Sequence, residues 1–173
     1  MPAIAALPLT IAPEAPDDGP AIHRLTRDAF ATAPHRSGTE AAIVDALRAA
    51  DALTLSLVAR ESDALVGHVA FSPVAPESGG AGWYGLGPLS VRPDRQRSGI
   101  GTALVARGLA LLRAAGAQGC VVLGEPAYYG RFGFTCDPLL TFPGVPPGYF
   151  QRVIFRGPAP TGAVAFHAAF GAG

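Results

Sequence analysis

The chain has 173 residues, 49% of them hydrophobic and 15% charged, which is typical of one globular domain with a substantial core. Thirteen basic residues, all arginine, balance thirteen acidic ones, which argues against a nucleic-acid partner, since such a partner normally requires a basic surface. Arg107 and Arg113 interrupt the longest apolar run, which argues against a membrane span. Only Cys120 and Cys136 are present, too few for a disulfide framework, and we therefore expect a cytoplasmic location.

Apolar periodicity in the first half of the chain predicts two helices followed by a β-hairpin. The helix starts are placed at polar residues that commonly cap helices. The predicted elements are a strand over residues 9–12, a helix capped by Asp17 or Asp18, a helix capped by Gly38 or Thr39, and hairpin strands over residues 53–60 and 65–74.

The second half predicts a strand over residues 83–91 that contains Gly87 and Pro88. Glycine and proline inside a strand indicate a bulge or the close approach of another chain or a ligand. The later elements are a helix over residues 102–115, strands over 120–123, 150–155 and 163–170, and a short helix that begins at Pro126 and ends at Gly133. No second-domain boundary is evident, so we expect a loose tail over residues 1–8 and a single domain over residues 9–173.

A glycine turn, Gln96-Arg97-Ser98-Gly99-Ile100-Gly101, joins the strand ending at Val91 to the helix that follows. The first N–H groups of a helix have no helical partner and carry partial positive charge, so such a turn favours an anion, usually phosphate. Arg92, Arg95 and Arg97 lie in the same loop, and guanidinium groups suit phosphate geometry.

Three phosphate-binding motifs compete for this turn. A P-loop requires a lysine, which the chain lacks. A dinucleotide fingerprint requires a third glycine where Leu104 stands, although Glu125 at the end of the next strand leaves that possibility open. A Gln/Arg-x-x-Gly-x-Gly turn for the pyrophosphate of coenzyme A fits Gln96, Gly99 and Gly101 without a gap. On the two glycines alone, an ordinary strand–helix connection explains the sequence equally well.

Two segments resemble the GNAT superfamily of acyl-CoA-dependent N-acetyltransferases. Residues 89–101, LSVRPDRQRSGIG, resemble its signature, and residues 128–134, YYGRFGF, resemble its aromatic helix and Gly-Phe ending. The order of elements extends the resemblance over residues 8–156, and further stretches resemble a small bacterial subgroup. The resemblance implies an α/β fold: a single GNAT-like domain whose mixed, mostly antiparallel sheet is flanked by helices and has splayed central strands.

The resemblance also implies acetyl-CoA as cosubstrate and no metal. The Val91 backbone would bond the pantetheine amides, and the Leu89 N–H would face the thioester oxygen, where it stabilises developing negative charge. The N–H groups of residues 97–102 would hold the pyrophosphate. The implied cofactor-binding residues are Leu89, Val91, Gln96, Arg97, Ser98, Gly99, Ile100, Gly101 and Thr102.

Tyr129 stands five residues before Phe134, where the superfamily places its general acid, so that Tyr129 would protonate the leaving thiolate. It could instead be a packed aromatic residue, and its neighbour Tyr128 is expected in the core. Glu125 would act as general base through water or would cap the short helix. Leu89, through its N–H, completes the predicted catalytic set.

The remaining polar and aromatic candidates have open roles. His68 is expected to be structural, and Glu40 suits either an acceptor site or a first helical turn. Four aromatic residues would line an acceptor pocket or pack in the core: Trp83, Tyr84, Tyr149 and Phe150.

The predicted function is acetyl transfer from acetyl-CoA to an amine by direct attack. A non-catalytic acyl-CoA-binding or sensing module is the alternative, and a dinucleotide-dependent redox protein is a third class. The sequence does not identify the acceptor, and the apolar segment 163–170 would permit a homodimer or cover the core.

Overall fold

A mixed β-sheet with helices on both faces forms the structure, which is a computed structural model describing residues 8–34, 36–146 and 148–171. The predicted tail lies outside these residues except for Pro8. The strands in the described residues are β1 (Leu9–Pro13), β2 (Leu55–Glu61), β3 (Ala64–Pro76), β4 (Trp83–Val91), β5 (Gly119–Leu123), β6 (Leu140–Thr141), β7 (Phe150–Ile154) and β8 (Gly162–Phe166). The α-helices there are α1 (Gly19–Phe30), α2 (Glu40–Ala49), α3 (Ile100–Ala114) and α4 (Pro126–Tyr129).

The main path of the sheet runs in the order β1-β2-β3-β4-β5-β7, and β8 pairs with the end of β3 and with β6. Along the main path, neighbouring strands are antiparallel except for β4 and β5, which are parallel. The predicted mostly antiparallel, mixed α/β fold is thereby confirmed.

Glycines bring α3 close to one face of the sheet. A Cβ atom at Gly67 in β3 would lie 2.8 Å from the Ile100 side chain, and one at Gly108 in α3 would lie 2.3 Å from the ring of Phe71. On the other face, Ile22 of α1 and Val44 of α2 pack with Val58 of β2. The core therefore lies on both sides of the central strands, and α3 is fixed against β3.

The polar residues predicted to cap α1 and α2 occupy the right positions but make other bonds. Asp18 and Thr39 are the N-cap residues, yet neither side chain makes a capping hydrogen bond. The Asp18 carboxylate accepts a bond from the Ala15 N–H at 2.7 Å and pairs with Arg60. Long-range pairing with β2 thus replaces the local bond that the sequence pattern favours.

The C-terminal segment differs from its prediction. Strand β8 ends at Phe166, and Ala168–Gly171 form a 3-10 turn in place of the second half of the predicted strand. Ala169 is buried in a cluster with Ile43 and Leu47 of α2, and its N–H donates to Nδ1 of His167 at 3.0 Å. Packing against α2 decides the conformation here. Dimerisation through this segment stays a prediction.

His68 lies in the core, as expected for a structural histidine. Its side chain is fully buried in β3, and its Nε2 lies 2.8 Å from the Ser56 hydroxyl. Burial, and secondarily the positive charge of Arg48, lowers the pKa of His68 to about 3. The imidazole is therefore neutral in the folded protein at neutral and mildly acidic pH.

This burial predicts a loss of stability in acid. The folded-state pKa is below the ordinary value of 6.5, so the unfolded chain binds a proton between these two values while folded His68 does not. The contribution of His68 to the free energy of unfolding is fully present above pH ~6.5. It falls by up to about 1.4 kcal/mol per pH unit as the pH drops towards 3. Urea unfolding at several pH values measures this slope.

His68→Gln is the matched variant, because glutamine can bond Ser56 and does not titrate. We expect the free energy of unfolding of this variant to fall less steeply with acidification than that of the native chain. If the free energy of unfolding fell equally steeply with pH in the two proteins, the loss of stability in acid could not be assigned to buried His68.

Candidate functional site

The site begins where β4 and β5 separate. Their parallel pairing ends at Leu86 and Val122. Just beyond this point β4 has two residues, Gly87 and Pro88, where β3 has only Ala70. Such an extra residue is a β-bulge, which bends a strand and ends regular pairing. The splay of the central strands that the resemblance implied is therefore present, and it lies at the glycine and proline that indicated a bulge.

Beyond the bulge, β4 keeps its pairing with β3 but exposes its other edge. The Arg92 N–H donates to the Val66 carbonyl at 2.8 Å. In an antiparallel ladder, hydrogen-bonded and non-hydrogen-bonded pairs alternate, so Ser90 also bonds β3, whereas the N–H and C=O groups of Leu89 and Val91 point away from it. These groups face the gap left by β5.

Gln96 reaches back into this gap. Its side-chain amide donates a hydrogen bond to the Val91 carbonyl at 3.1 Å. An amide N–H thus already occupies the position at which an extended amide-bearing ligand would pair with β4. The acceptor atom on Val91 is therefore accessible and correctly oriented for an amide donor.

The glycine turn presents a helix N-terminus to the same region. Gly99 has a φ of 88° and is the N-cap of α3, a left-handed conformation that glycine adopts most readily. Ala103 donates to the Gly99 carbonyl at 3.0 Å, so the N–H groups of Ile100, Gly101 and Thr102 have no helical acceptor. No side chain caps α3, and these donors remain available for an anion.

The turn and the open edge of β4 enclose one cleft of about 490 Å³. Gly101 keeps the cleft open, because a Cβ atom there would lie 3.3 Å from the Tyr128 hydroxyl. That hydroxyl lies 3.2 Å from the Thr102 hydroxyl, so α4 forms the opposite wall. The lining residues are Leu89, Val91, Gln96, Arg97, Gly99, Gly101, Thr102, Tyr128 and Arg131.

Most predicted cofactor-binding residues are therefore brought together. Seven of the nine line the cleft; Ser98 and Ile100 do not. The Ser98 hydroxyl bonds the Arg95 carbonyl within the loop, and the Ile100 side chain is buried in the core. Only the backbone N–H groups of these two residues can serve the predicted role.

The arginines near the turn divide into paired and cleft-lining groups. Arg92 lies 2.6 Å from Asp94 and holds the pKa of that carboxyl below its usual value, while Arg95 pairs with Glu61. Arg97 and Arg131 line the cleft. The positive charge available to an anion therefore comes from Arg97 and Arg131 together with the helix N-terminus.

Arg131 was not among the residues predicted from the sequence to form the site. Its guanidinium carbon lies 4.5 Å from the centre of the Tyr128 ring, and its Nε donates to the Tyr128 carbonyl at 2.9 Å. A spacing of three residues along a short helical segment puts the two side chains on one face. This three-residue spacing is the sequence feature from which the position of Arg131 beside Tyr128 could have been predicted.

Tyr128 and Tyr129 occupy different environments, and the expectation for Tyr128 was wrong. Tyr128 lines the cleft instead of lying in the core. Tyr129 packs against the core at the end of the β4–β5 pair, with its ring 5.9 Å from that of Phe134. Two neighbouring helical residues point about 100° apart, so only one of them can face the cleft.

The Tyr129 hydroxyl nevertheless keeps some exposure to solvent. It has no hydrogen-bond partner among the described residues, and it is not one of the buried unpaired side-chain atoms found there. Burial of the ring, with smaller effects from Tyr128 and Cys120, raises the pKa of Tyr129 above its usual value. The phenol is therefore protonated throughout the physiological pH range, as a proton donor must be.

Glu125 is the N-cap residue of α4 by position, but its side chain makes no capping bond. Its carboxylate instead accepts a hydrogen bond from the Tyr149 hydroxyl at 3.0 Å. This bond and the negative charge of Glu125 raise the pKa of Tyr149. The suggestion that Glu125 caps the helix is wrong, and the carboxylate is exposed beside a second pocket.

The other residues considered for an acceptor site differ in how deeply they are buried. Trp83 and Phe150 are only 4% and 6% exposed and pack together in a core cluster, whereas Tyr149 lines the second pocket. Glu40 is buried, and its carboxylate accepts a bond from the Ser37 N–H at 2.7 Å. That bond gives Glu40 a local structural role at the start of α2.

Residues 8–34, 36–146 and 148–171 offer neither a metal centre nor a membrane-spanning helix. No cluster of three or more histidine, cysteine, aspartate or glutamate residues there is arranged to hold a metal ion. None of the helices in those ranges has the length and apolar character that crossing a bilayer requires.

Comparison with known proteins agrees with this geometry. A sequence model of the Acetyltransferase (GNAT) family matches residues 20–134. The uncharacterized N-acetyltransferase YhbS of Escherichia coli (strain K12) is 40% identical over 122 residues, which is 70% of each chain.

Two solved structures are also similar. A GNAT family acetyltransferase from Brucella melitensis, in complex with acetyl-CoA, is 49% identical with a TM-score of 0.84 and covers 95% of this chain and 99% of its own. E. coli YhbS in complex with CoA is 34% identical with a TM-score of 0.87, over 98% of this chain and 95% of its own. The family model matches the residues that form the cleft and both of its walls, and a family relative is 40% identical over 70% of each chain. The chain therefore belongs to the GNAT acetyltransferase family.

Proposed function

We propose that this protein transfers an acetyl group from acetyl-CoA to an amine acceptor. One observation carries the proposal: the unpaired N–H groups at the start of α3 and the open edge of β4 face a single cleft. The ligands of the Brucella and E. coli relatives, acetyl-CoA and CoA, support it.

The phosphate end of the cosubstrate fits the glycine turn. Three unpaired N–H groups, from Ile100 to Thr102, and the guanidinium of Arg97 supply hydrogen bonds and positive charge for a diphosphate. Arg131, in the 3-10 turn that follows α4, adds a second positive charge. The side chain missing at Gly101 gives the ligand access to these donors.

The extended, amide-bearing arm of the cosubstrate fits the gap between β4 and β5. Val91 offers its N–H and C=O to this gap, and Gln96 moves off the Val91 carbonyl when a ligand amide replaces it. The Leu89 N–H then donates to the thioester oxygen, where negative charge accumulates during attack.

The cosubstrate supplies an activated acetyl group as a thioester. The neutral amine attacks the acetyl carbon, so that a C–N bond forms and the C–S bond breaks. The nitrogen loses its proton to Glu125 or to water, and Tyr129 gives its phenolic proton to the departing sulfur. The products are the N-acetylated amine and free CoA, and Tyr129 regains its proton from solvent.

Gly101→Val tests the cleft. The new side chain would project towards the Tyr128 hydroxyl, the Val91 side chain and the Leu89 side chain, which lie 3.3, 3.6 and 3.7 Å from the Cβ position. We expect the dissociation constant for CoA, measured by calorimetry, to rise by about tenfold or more, which corresponds to about 1.4 kcal/mol. The melting temperature should not fall, because valine has a higher helix propensity than glycine.

Ala106→Val is the matched control, since it adds similar bulk to an exposed position of the same helix outside the cleft. It should leave CoA affinity unchanged. Thermal shift with NAD(H) in parallel tests the dinucleotide alternative, because only a ligand that binds the native state raises the melting temperature. Unchanged CoA affinity in Gly101→Val would contradict the proposed cleft.

Tyr129→Phe tests the proton donor. Removal of the hydroxyl should lower kcat by about 100-fold or more, within the range of general acid catalysis, and should leave CoA affinity nearly unchanged because Tyr129 does not line the cleft. Release of the CoA thiol in the presence of an amine measures kcat.

Tyr84→Phe serves as the control, because Tyr84 lies in the paired part of β4 opposite Cys120. It should retain the native rate. If Tyr129→Phe also turned over at the native rate, Tyr129 would have no part in the reaction.

CoA binding without thiol release for any amine would favour the non-catalytic, acyl-CoA-sensing alternative.

A further inference from the structure

A second, smaller pocket lies at the end of β5. It has a volume of about 320 Å³ and is lined by Leu123, Gly124, Glu125, Val145, Pro146 and Tyr149. Leu123, Val145 and Pro146 give it apolar walls. Of these lining residues only Glu125 carries a formal charge.

Tyr129 packs against Gly124, one of the residues that line this pocket. A Cβ atom at Gly124 would lie 2.3 Å from Cε2 of Tyr129, so the absent side chain lets the tyrosine ring abut the pocket wall. On its other side, Tyr129 packs against Tyr128, with ring centres 4.9 Å apart, and Tyr128 lines the cosubstrate cleft. The proposed proton donor therefore contacts one residue that lines the cleft and one that lines the pocket.

The carboxylate in the pocket is held in position. The Tyr149 hydroxyl donates to Oε1 of Glu125 at 3.0 Å, and the backbone of Tyr149 is tied to β5 because its carbonyl accepts the Gly124 N–H at 2.9 Å. One acceptor oxygen thus binds Tyr149, and the second, Oε2, remains for a ligand. A cation is the ligand that such a carboxylate favours.

We propose that this pocket binds the acceptor, and that the acceptor is a small monoamine with an apolar substituent and no carboxylate near its nitrogen. This inference rests on the proposed function and adds the class of substrate. Glu125 binds the ammonium form of the amine, and Leu123, Val145 and Pro146 contact its apolar part. The ammonium group gives one proton to water, and the neutral amine then attacks the acetyl carbon; after the C–N bond forms, the second proton leaves the nitrogen for Glu125 or water, as in the proposed function.

Size and charge both argue for this class. The volume lies at the lower end of the range of about 300–1,000 Å³ for small-molecule sites. An amino acid would bring its own carboxylate close to Glu125, and like charges in a partly desolvated site repel. A polyamine would place additional ammonium groups against the apolar walls without partners.

The experiment measures kcat/KM from thiol release with a panel of amines. The panel contains n-propylamine, n-butylamine, n-hexylamine, phenethylamine, phenylalanine, spermidine and a short peptide with a free N-terminus. We expect kcat/KM to rise by about fourfold for each added CH2 group until the pocket is filled. Phenethylamine should exceed phenylalanine by at least about tenfold, a typical discrimination for one unfavourable contact.

Two variants connect these preferences to the pocket. Glu125→Gln should reduce the ratio between phenethylamine and phenylalanine several-fold, because the repulsion of the substrate carboxylate is removed. Leu123→Ser should flatten the dependence on chain length. Leu139→Ser is its control, because Leu139 is 68% exposed and lies outside the pocket, whereas Leu123 is 38% exposed within it.

The outcomes separate this inference from the proposed function. If amines are acetylated but phenylalanine, spermidine or the peptide is the better substrate, or if Leu123→Ser behaves as Leu139→Ser does, the inference is overturned and the proposed function stands. If no amine in the panel causes thiol release from a protein that binds CoA, both are overturned. Preference for the apolar monoamines, lost in the two pocket variants, supports both.

Discussion

The separation of β4 from β5 is the constraint on which the rest of the site depends. Because β4 has an extra residue at Gly87–Pro88, its far half stays hydrogen-bonded to β3 while its other edge is left unpaired. An unpaired strand edge normally invites another strand. Here the glycine turn and α4 lie beside that edge and leave room for one extended ligand. A backbone irregularity thereby becomes a binding surface whose donors and acceptors are main-chain atoms.

The charge of the cleft depends on which arginines form ion pairs with carboxylates more than on the overall composition of the chain. The chain has no net charge, and carboxylates neutralise Arg92 and Arg95 at the loop. Arg97 and Arg131 line the cleft and form no ion pair with a carboxylate of the described residues, so both add positive charge beside the N-terminus of α3. A nucleic acid would require a broad basic surface, whereas a single diphosphate requires only this local one.

The sequence predicted those parts of the structure that local chemistry determines. Strand 83–91 and the turn at Gly99 were correct because proline fixes its own φ and glycine adopts the positive φ that such a turn requires. The failures occurred where distant contacts decide: Asp18 pairs with Arg60 instead of capping α1, and Ala169 turns to pack against α2. Tyr128 was misplaced for the same reason, because the orientation of a four-residue helix is set by its packing against α3 and β5, which the sequence alone does not contain.

The orientation of α4 also connects the two pockets. Adjacent tyrosines on one helical turn point in different directions, so Tyr128 faces the cosubstrate cleft while Tyr129 sits behind Gly124 at the second pocket. Glu125 opens the same turn, and the Tyr129 N–H bonds its carbonyl at 3.0 Å. Tyr129, the proposed proton donor, and Glu125 lie on one helical turn, which limits how far apart their side chains can be. An amine that binds Glu125 is therefore positioned relative to Tyr129 by the helix itself, without movement of a separate loop.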